Sequence, residues 1–258
     1  MFTNKVVLIT GAARGIGFEI GKQFAEQGAE VILTDRDADA VENAAESLRK
    51  LGFKASGFKL DVTSEEQIIA VIKETEKTFG RLDILINNAG LQYVSFIEDF
   101  PTDVFEKMIR IMLTAPFMAI KHVLPLMKKQ GGGRIINIAS MYGVVGFAGK
   151  AAYSSAKHGV IGLTKAAALE AAPFGITVNA LCPGYVDTAL LREQLAELAV
   201  MRNISKDAVL EEVLYPLIPQ RRLLEIGEVA AYAMYLAGEQ AKGITGQAVV
   251  IDGGYTAQ

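Results

Sequence analysis

Tyr153 and Lys157 stand four positions apart in the run Tyr153-Ser154-Ser155-Ala156-Lys157, at the start of a stretch of helical periodicity reaching about Ala171. That spacing puts both side chains on one helix face, a turn apart. A free tyrosine has a pKa of about 10, and bringing it near 7 requires roughly 4 kcal/mol of differential stabilisation of the phenolate. A unit positive charge about 4 Å away supplies a comparable amount at an effective dielectric of about 20. A phenol paired in this way with an ammonium is a general base for an alcohol proton and a general acid in the reverse direction. Tyr-x-x-x-Lys by itself is common in helices, so the pair acquires meaning only from what surrounds it.

A second group of residues suits an anionic dinucleotide. Gly11-Ala12-Ala13-Arg14-Gly15-Ile16-Gly17 follows an apolar run ending at Thr10 and opens a helical stretch. Glycines at such a turn let the backbone approach a pyrophosphate, while the helix N-terminus offers unpaired N–H groups and the positive end of its dipole. The spacing is neither G-x-G-x-x-G nor a P-loop, and glycine-rich turns also arise for packing alone. Asp35 ends the next apolar run, near the separation of roughly 20 residues at which a carboxylate reaches the adenosine ribose. Its charge repels a 2′-phosphate and so favours NAD over NADP, whereas the neighbouring Arg36 attracts one. The plain alternative for Asp35 is a solvated loop residue or a helix cap.

The elements that must hold these groups are regular. Short β-branched runs at 6–10, 31–34, 82–87, 134–138, 176–181 and 248–251 read as strands, with a weaker one near 57–61. Helical periodicity fills the intervals. Most strands are apolar at consecutive positions, as expected where helices cover both faces of a parallel sheet. The expectation is an α/β chain folded as a three-layer, doubly wound Rossmann-type domain over 1–258, with a mostly parallel seven-stranded sheet. The least regular stretch, 187–222, spaces Leu190, Leu191, Leu195 and Leu198 as a helix and ends in a turn region from Pro216 to Pro219. It reads as a helical insertion, either a lid over a binding pocket or a surface hairpin.

The 258 residues are 51% hydrophobic and 21% charged, a globular balance that excludes disordered and fibrous classes. Formal net charge is −3 with dispersed Lys and Arg, which gives no footprint for nucleic acid or an anionic membrane and points to a small-molecule partner. No apolar run reaches the roughly 18 uncharged residues that span a bilayer. The single cysteine, Cys182, cannot form an internal disulfide, and Met1 runs into the apolar stretch 6–9 without a signal-peptide pattern, so the cytoplasm is the expected compartment. Cys182 reads as a small buried hydrophobe, and His122 and His158 as structural residues whose spacing suits no metal.

Thr10 to Gly17, Asn87-Asn88-Ala89-Gly90, Ser140, Tyr153-x-x-x-Lys157, Asn179 and Pro183-Gly184 occur in the order and spacing of the short-chain dehydrogenase/reductase family, which essentially the whole chain resembles. The resemblance implies that Tyr153 exchanges a proton with the substrate oxygen as hydride passes to or from NAD. It implies that Lys157 lowers the phenol pKa and binds the cofactor ribose, and that Ser140 donates to the substrate oxygen. Implied cofactor contacts are Gly11, Arg14, Gly15, Ile16, Gly17 and Asp35, then Asp61 and Val62 at the adenine, with Asn88, Ala89 and Gly90 as the floor of the cleft. Pro183, Gly184, Val186 and Thr188 complete that set, Thr188 at the nicotinamide carboxamide. One position departs from the pattern: Met112 stands where many members carry an asparagine whose main-chain carbonyl holds a proton-relay water. Pro116, four residues on, has no N–H, which should free the Met112 carbonyl for that water.

Within that family, Gln92, Lys150 and Gln194 match the polar positions with which D-3-hydroxybutyrate dehydrogenases grip a small carboxylate, the cation supplying charge and the amides direction. Tyr142 and Tyr185 stand where some of that group carry His and Trp, and a tyrosine can still donate to a carboxylate and wall a methyl group. The implied reaction is reversible oxidation of (R)-3-hydroxybutyrate to acetoacetate with NAD, at a pocket of Gln92, Ser140, Tyr142, Lys150, Tyr153, Tyr185 and Gln194, in a homotetramer. Reduction of 3-oxoacyl thioesters with NADPH is the alternative, disfavoured by Asp35 and Lys150. A non-catalytic nucleotide-binding protein is a third, disfavoured by the presence of both Tyr153 and Lys157. The C-terminal residues 252–258 are compatible with a subunit contact.

Overall fold

The computed structural model describes residues 2–189, 191–193, 195, 199 and 204–257. Strands β1 (Val6–Thr10), β2 (Glu30–Asp35), β3 (Ala55–Lys59), β4 (Ile84–Asn87), β5 (Gly133–Ile138), β6 (Ile176–Pro183) and β7 (Ala248–Ile251) form one sheet in the order β3-β2-β1-β4-β5-β6-β7. Every pairing is parallel, so the expected "mostly parallel" sheet is wholly so. The weak strand expected near 57–61 begins two residues earlier, and β6 runs on to Pro183, a position at a strand end where the missing N–H breaks no interior ladder.

Strand alternation divides the core between two layers of helices. Val7 and Ile9 of β1 face Ile20 and Phe24 of α1 (Gly15–Glu26), with Val41 and Leu48 of α2 (Ala38–Lys50) in the same cluster. Val6 and Leu8 point the other way, into a cluster with Ile68 and Ile72 of α3 (Glu65–Phe79), past which α4 (Thr102–Ile109) leads into α5 (Ala115–Lys129). Met118 and Val123 of α5 and Ala168 of α6 (Ala151–Ala171) complete that layer. A short α7 (Lys206–Val209) precedes α8 (Ile226–Ala237), which joins the first layer through Val229 and Ala233. Each fully buried Ile, Leu or Val here stabilises the fold by about 1.5–3 kcal/mol. Asp37 and Ser64 cap α2 and α3 by accepting from the N–H groups of Ala40 and Gln67.

α4 and α5 meet at a π turn, Arg110–Thr114, and together form a run, Thr102–Lys129, long and apolar enough to cross a membrane. Its apolar side lies instead on the sheet, where Met118, Ile120, Val123 and Met127 are buried. Within 187–222 the described residues are mostly helical, passing from Ala189, Leu191 and Leu195 to α7, a second π turn at Leu210–Leu214 and a 3-10 turn at Tyr215–Leu217. Leu191, Leu195, Ala199, Val209 and Leu214 form a cluster of their own against Tyr185. Leu190, Gln194 and Leu198 lie outside the described residues.

A buried polar chain fixes α6 to the sheet. Asn87 Nδ2 donates to Asn137 Oδ1 (2.8 Å), Asn137 Nδ2 to Thr164 Oγ1 (2.9 Å), and Thr164 Oγ1 to the Val160 carbonyl (2.7 Å), joining β4, β5 and α6. Asn179 ties β6 to the approach of β7, donating to the Ile244 carbonyl and accepting from Gln247 N–H. Asn137→Ala takes the acceptor from Asn87 Nδ2 and the incoming donor from Thr164 Oγ1, which keeps only its bond to the Val160 carbonyl, and we expect a loss of about 2 kcal/mol in stability. A lowered urea midpoint at unchanged m-value measures it.

Candidate active site

β1 and β4 are neighbours from which the chain departs in opposite directions, which leaves a crevice at their carboxyl ends. Thr10 Oγ1 accepts there from the N–H groups of Asn88 (3.0 Å) and Ala89 (3.1 Å), while Asn88 Nδ2 donates to the carbonyls of Thr10 (2.9 Å) and Gly11 (2.8 Å). Asn88 thus braces the glycine turn with its side chain, a role not legible from its motif. A Cβ on Gly17 would lie 2.5 Å from Asn88 Nδ2 and 2.7 Å from the Gly11 carbonyl, so only glycine fits. Gly15, at φ +63°, has open space where a Cβ would be. Arg14 enters α1 with extended backbone and no side-chain cap, and no acidic residue occupies the first turn. Unlike α2 and α3, this helix keeps its first N–H groups for an outside anion, and the turn therefore fits a dinucleotide pyrophosphate.

Asp35 closes β2 beside this turn, its carboxylate accepting from Ala13 N–H (3.4 Å) and Asp37 N–H (3.2 Å). The Asp61 carboxyl is held below its usual range chiefly by the Thr63 hydroxyl and N–H, with Arg36 and Lys107 adding their charge. Val62 and Ala89 line one apolar crevice with Pro116. Past β6, Gly184 N–H donates to the Ile251 carbonyl (2.8 Å), Val186 bridges to Leu224, and Thr188 Oγ1 caps the next turn by accepting from Leu191 N–H (3.2 Å).

Tyr153 and Lys157 share one face of α6, as expected, but the electrostatics differ from the expectation. Lys157 Nζ donates to the Ile138 carbonyl (2.6 Å) at the end of β5 and lies 5.5 Å from the Tyr153 ring centroid. Burial pushes the phenol above its usual value, and the opposing effect comes from a hydrogen bond with Ser140. The expected lowering by Lys157 is therefore not met by the chain's own groups, because the ammonium is drawn to a carbonyl and faces the ring. Desolvation brings Lys157 itself down to about 8. Ser140 Oγ also accepts from Tyr142 N–H (3.1 Å). Cys182 is buried behind the pair and its thiol is pushed up to about 11, in keeping with a small hydrophobe. Met112 lies buried in the first π turn, packed with Met108, Ala152 and Ala156 against Tyr153.

Lys150 precedes α6 and enters the same pocket. Its ammonium lies 4.5 Å from the Tyr142 ring centroid and 5.9 Å from that of Tyr153. Among the described residues no carboxylate lies within ion-pair distance of it, and burial lowers its pKa to about 8. Gln92 Nε2 is buried without a partner among the described residues. Tyr142 and Tyr185 join through their hydroxyls (2.7 Å). Tyr255 packs edge-on to both, at 6.1 Å from each. No spacing rule singled out Tyr255, because a C-terminal residue shows its neighbours only when the chain folds back.

A family model described as short chain dehydrogenase matches residues 5–199. The chain belongs to the short-chain dehydrogenase family. It is 62% identical to the uncharacterized oxidoreductase YxjF of Bacillus subtilis (strain 168), over 99% of both chains. It is 42% identical to the D-beta-hydroxybutyrate dehydrogenase of Rhizobium meliloti (strain 1021), over 99% of this chain and 100% of that one. The crystal structure of an actinorhodin polyketide ketoreductase variant with NADPH superposes with a TM-score of 0.94 at 34% identity, covering 100% of each chain. This short-chain dehydrogenase is thus an oxidoreductase of an NAD(P)-binding family. Asn88→Ala, which releases two carbonyls of the glycine turn, is expected to weaken NAD(P)H binding about tenfold by isothermal titration calorimetry.

Proposed function

We propose that this short-chain dehydrogenase interconverts (R)-3-hydroxybutyrate and acetoacetate with NAD. The observation that carries the reading is Lys150, a desolvated ammonium without an ion-pair partner among the described residues, whose Nζ lies 5.9 Å from the Tyr153 ring. A buried cation left unpaired is costly, and a small anionic substrate satisfies it. Gln92, whose buried Nε2 has no partner among the described residues, supplies a directional donor to the same carboxylate. Gln194 is assigned to the pocket with them. A thioester substrate presents no such anion, which makes 3-oxoacyl reduction the poorer fit.

The chemistry that NAD supplies when bound is hydride acceptance, and its oxidised ring is cationic. Gly11, Arg14, Gly15, Ile16 and Gly17 hold the pyrophosphate end, Asp35 the adenosine ribose, and Asp61 and Val62 the adenine. Asn88, Ala89, Gly90, Pro183, Gly184, Val186 and Thr188 complete the cleft, and Lys157 serves the second ribose. Ser140 donates to the substrate oxygen, and Tyr153 takes the hydroxyl proton during oxidation and returns it during reduction. A phenol raised by burial favours the proton-donating direction, so oxidation relies on nearby positive charge. Arg36 sits close enough to Asp61 to help lower that carboxyl, which leaves the Asp35 carboxylate as the group assigned to the ribose. Segment 187–222 closes over the substrate in this reading. The exposed apolar faces of Phe117 and Leu169, 50% and 80% accessible, support assembly into a homotetramer.

Tyr153→Phe should lower turnover by at least about 100-fold while leaving NAD affinity unchanged, by kinetics and calorimetry. Asp35→Ser should improve kcat/KM with NADP relative to NAD about tenfold or more, measured side by side. Lys150 offers a pH test. Its pKa is depressed to about 8, so the charged form that binds a carboxylate is lost as pH rises through that value. KM for the free acid should climb above about pH 8, and Lys150→Met should raise it about 10- to 100-fold at pH 7 and flatten that climb. A flat wild-type profile, or a thioester preferred over the free acid, would remove the reading.

A further inference from the structure

The Lys150 ammonium is surrounded by ring faces. Centroids lie at 4.5 Å for Tyr142, 5.5 Å for Phe147, 5.9 Å for Tyr153 and 6.0 Å for Tyr185. Tyr142, the nearest, is 3% exposed and held at both ends. Its N–H donates to Ser140 Oγ, and its hydroxyl is joined to that of Tyr185, with the Tyr255 side chain interacting beside them. The three rings pack edge-to-face, with centroids 6.1–6.3 Å apart. Tyr255 reaches this cluster through the turn Gly253-Gly254, whose φ values of +65° and +91° suit glycine, pinned by Asp252 accepting from Gly254 N–H and from Thr256 N–H and hydroxyl.

We propose that Tyr142 is a positioning residue: its ring face holds the Lys150 ammonium in place for the substrate carboxylate, and Tyr185 and Tyr255 act through it by locking the ring. This rests on the free-acid reading above. A ring face attracts a cation through its quadrupole without neutralising it. A carboxylate in that place would form a salt bridge for the substrate to displace, and water would leave the long side chain mobile. The stronger, charge-assisted bond to a substrate carboxylate then draws the ammonium off the ring. Because the Tyr142 hydroxyl is occupied by its tyrosine neighbours, the ring is the part that acts on Lys150. Among the described residues the titratable groups facing the ammonium are Tyr142, Tyr153 and Tyr185, with Tyr255 behind Tyr142 and Lys157 against the same Tyr153 ring.

The test compares Tyr142→Leu with Tyr142→Phe in the full chain. With NAD and (R)-3-hydroxybutyrate, Tyr142→Leu raises KM about tenfold with the loss in KM rather than kcat, and Tyr142→Phe, which keeps the ring, brings KM back to within about threefold. A Tyr142→Leu enzyme with wild-type KM, or equal losses in the Leu and Phe enzymes, overturns the proposal. A second measurement needs no turnover. In a nitrogen-15 NMR titration of the lysine ammonium groups, the signal absent from Lys150→Met is assigned, and in Tyr142→Leu its midpoint falls about half to one pH unit below wild type. An unchanged midpoint overturns the aromatic hold even where hydroxybutyrate is the substrate. A lowered midpoint in a protein that oxidises no hydroxy acid upholds the aromatic hold and refutes the substrate. Should Tyr142→Leu fail to fold, Tyr255→Phe removes only the outer hydroxyl and raises KM about twofold to threefold, and an unchanged KM there overturns the lock.

Discussion

Two lysine ammonium groups, Lys150 and Lys157, occupy one desolvated pocket within 6 Å of a single tyrosine ring centroid, and the surroundings are arranged to make this tolerable. Burial lowers both to about 8, so each remains largely charged at neutral pH but has little to spare. Lys157 is accommodated by a backbone carbonyl and Lys150 by aromatic faces, neither of which carries a formal negative charge. The positive potential is thereby kept for molecules from outside. A carboxylate from the protein would stabilise the fold and weaken the site.

That arrangement depends on how α6 is seated. The helix begins immediately after Lys150, and the Asn87–Asn137–Thr164 chain fixes it against β4 and β5. The same two strands, ending at Asn87 and Ile138, lead directly into Asn88 and Ser140, so the cofactor crevice and the proton-transfer group share one set of sheet positions. Hydrogen bonds between Thr10 and Asn88 extend this registration to β1 and the glycine turn. Small errors in strand register would therefore be felt at both ends of the site.

Much of this was legible beforehand. The strand at 6–10 stands where its apolar run indicated, because a parallel sheet covered on both faces demands continuous hydrophobicity, and the edge strand at 248–251 does so because all four of its residues are apolar. The edge strand β3, Ala55–Lys59, was displaced by two residues because its run Ala-Ser-Gly-Phe-Lys carries little apolar pattern. Gly17 was recognisable as a close approach, although its partner, the Asn88 side chain, is 71 residues away in sequence and shows itself only in the fold. Tyr255 was invisible for the same reason.

The sequence by itself determined which elements form and that a phenol and an ammonium share a helix face, since these follow from local periodicity and the fixed geometry of an α-helix. Tertiary structure alone decided where that ammonium points. Drawn to the Ile138 carbonyl, it leaves the Tyr153 phenol raised by burial, reversing the sign expected from spacing. It also decided that Lys150 meets rings from Tyr142, Phe147 and Tyr185 and no carboxylate among the described residues. The reason is that desolvation and partner choice depend on groups brought together across the whole chain, which residue spacing along one helix does not contain.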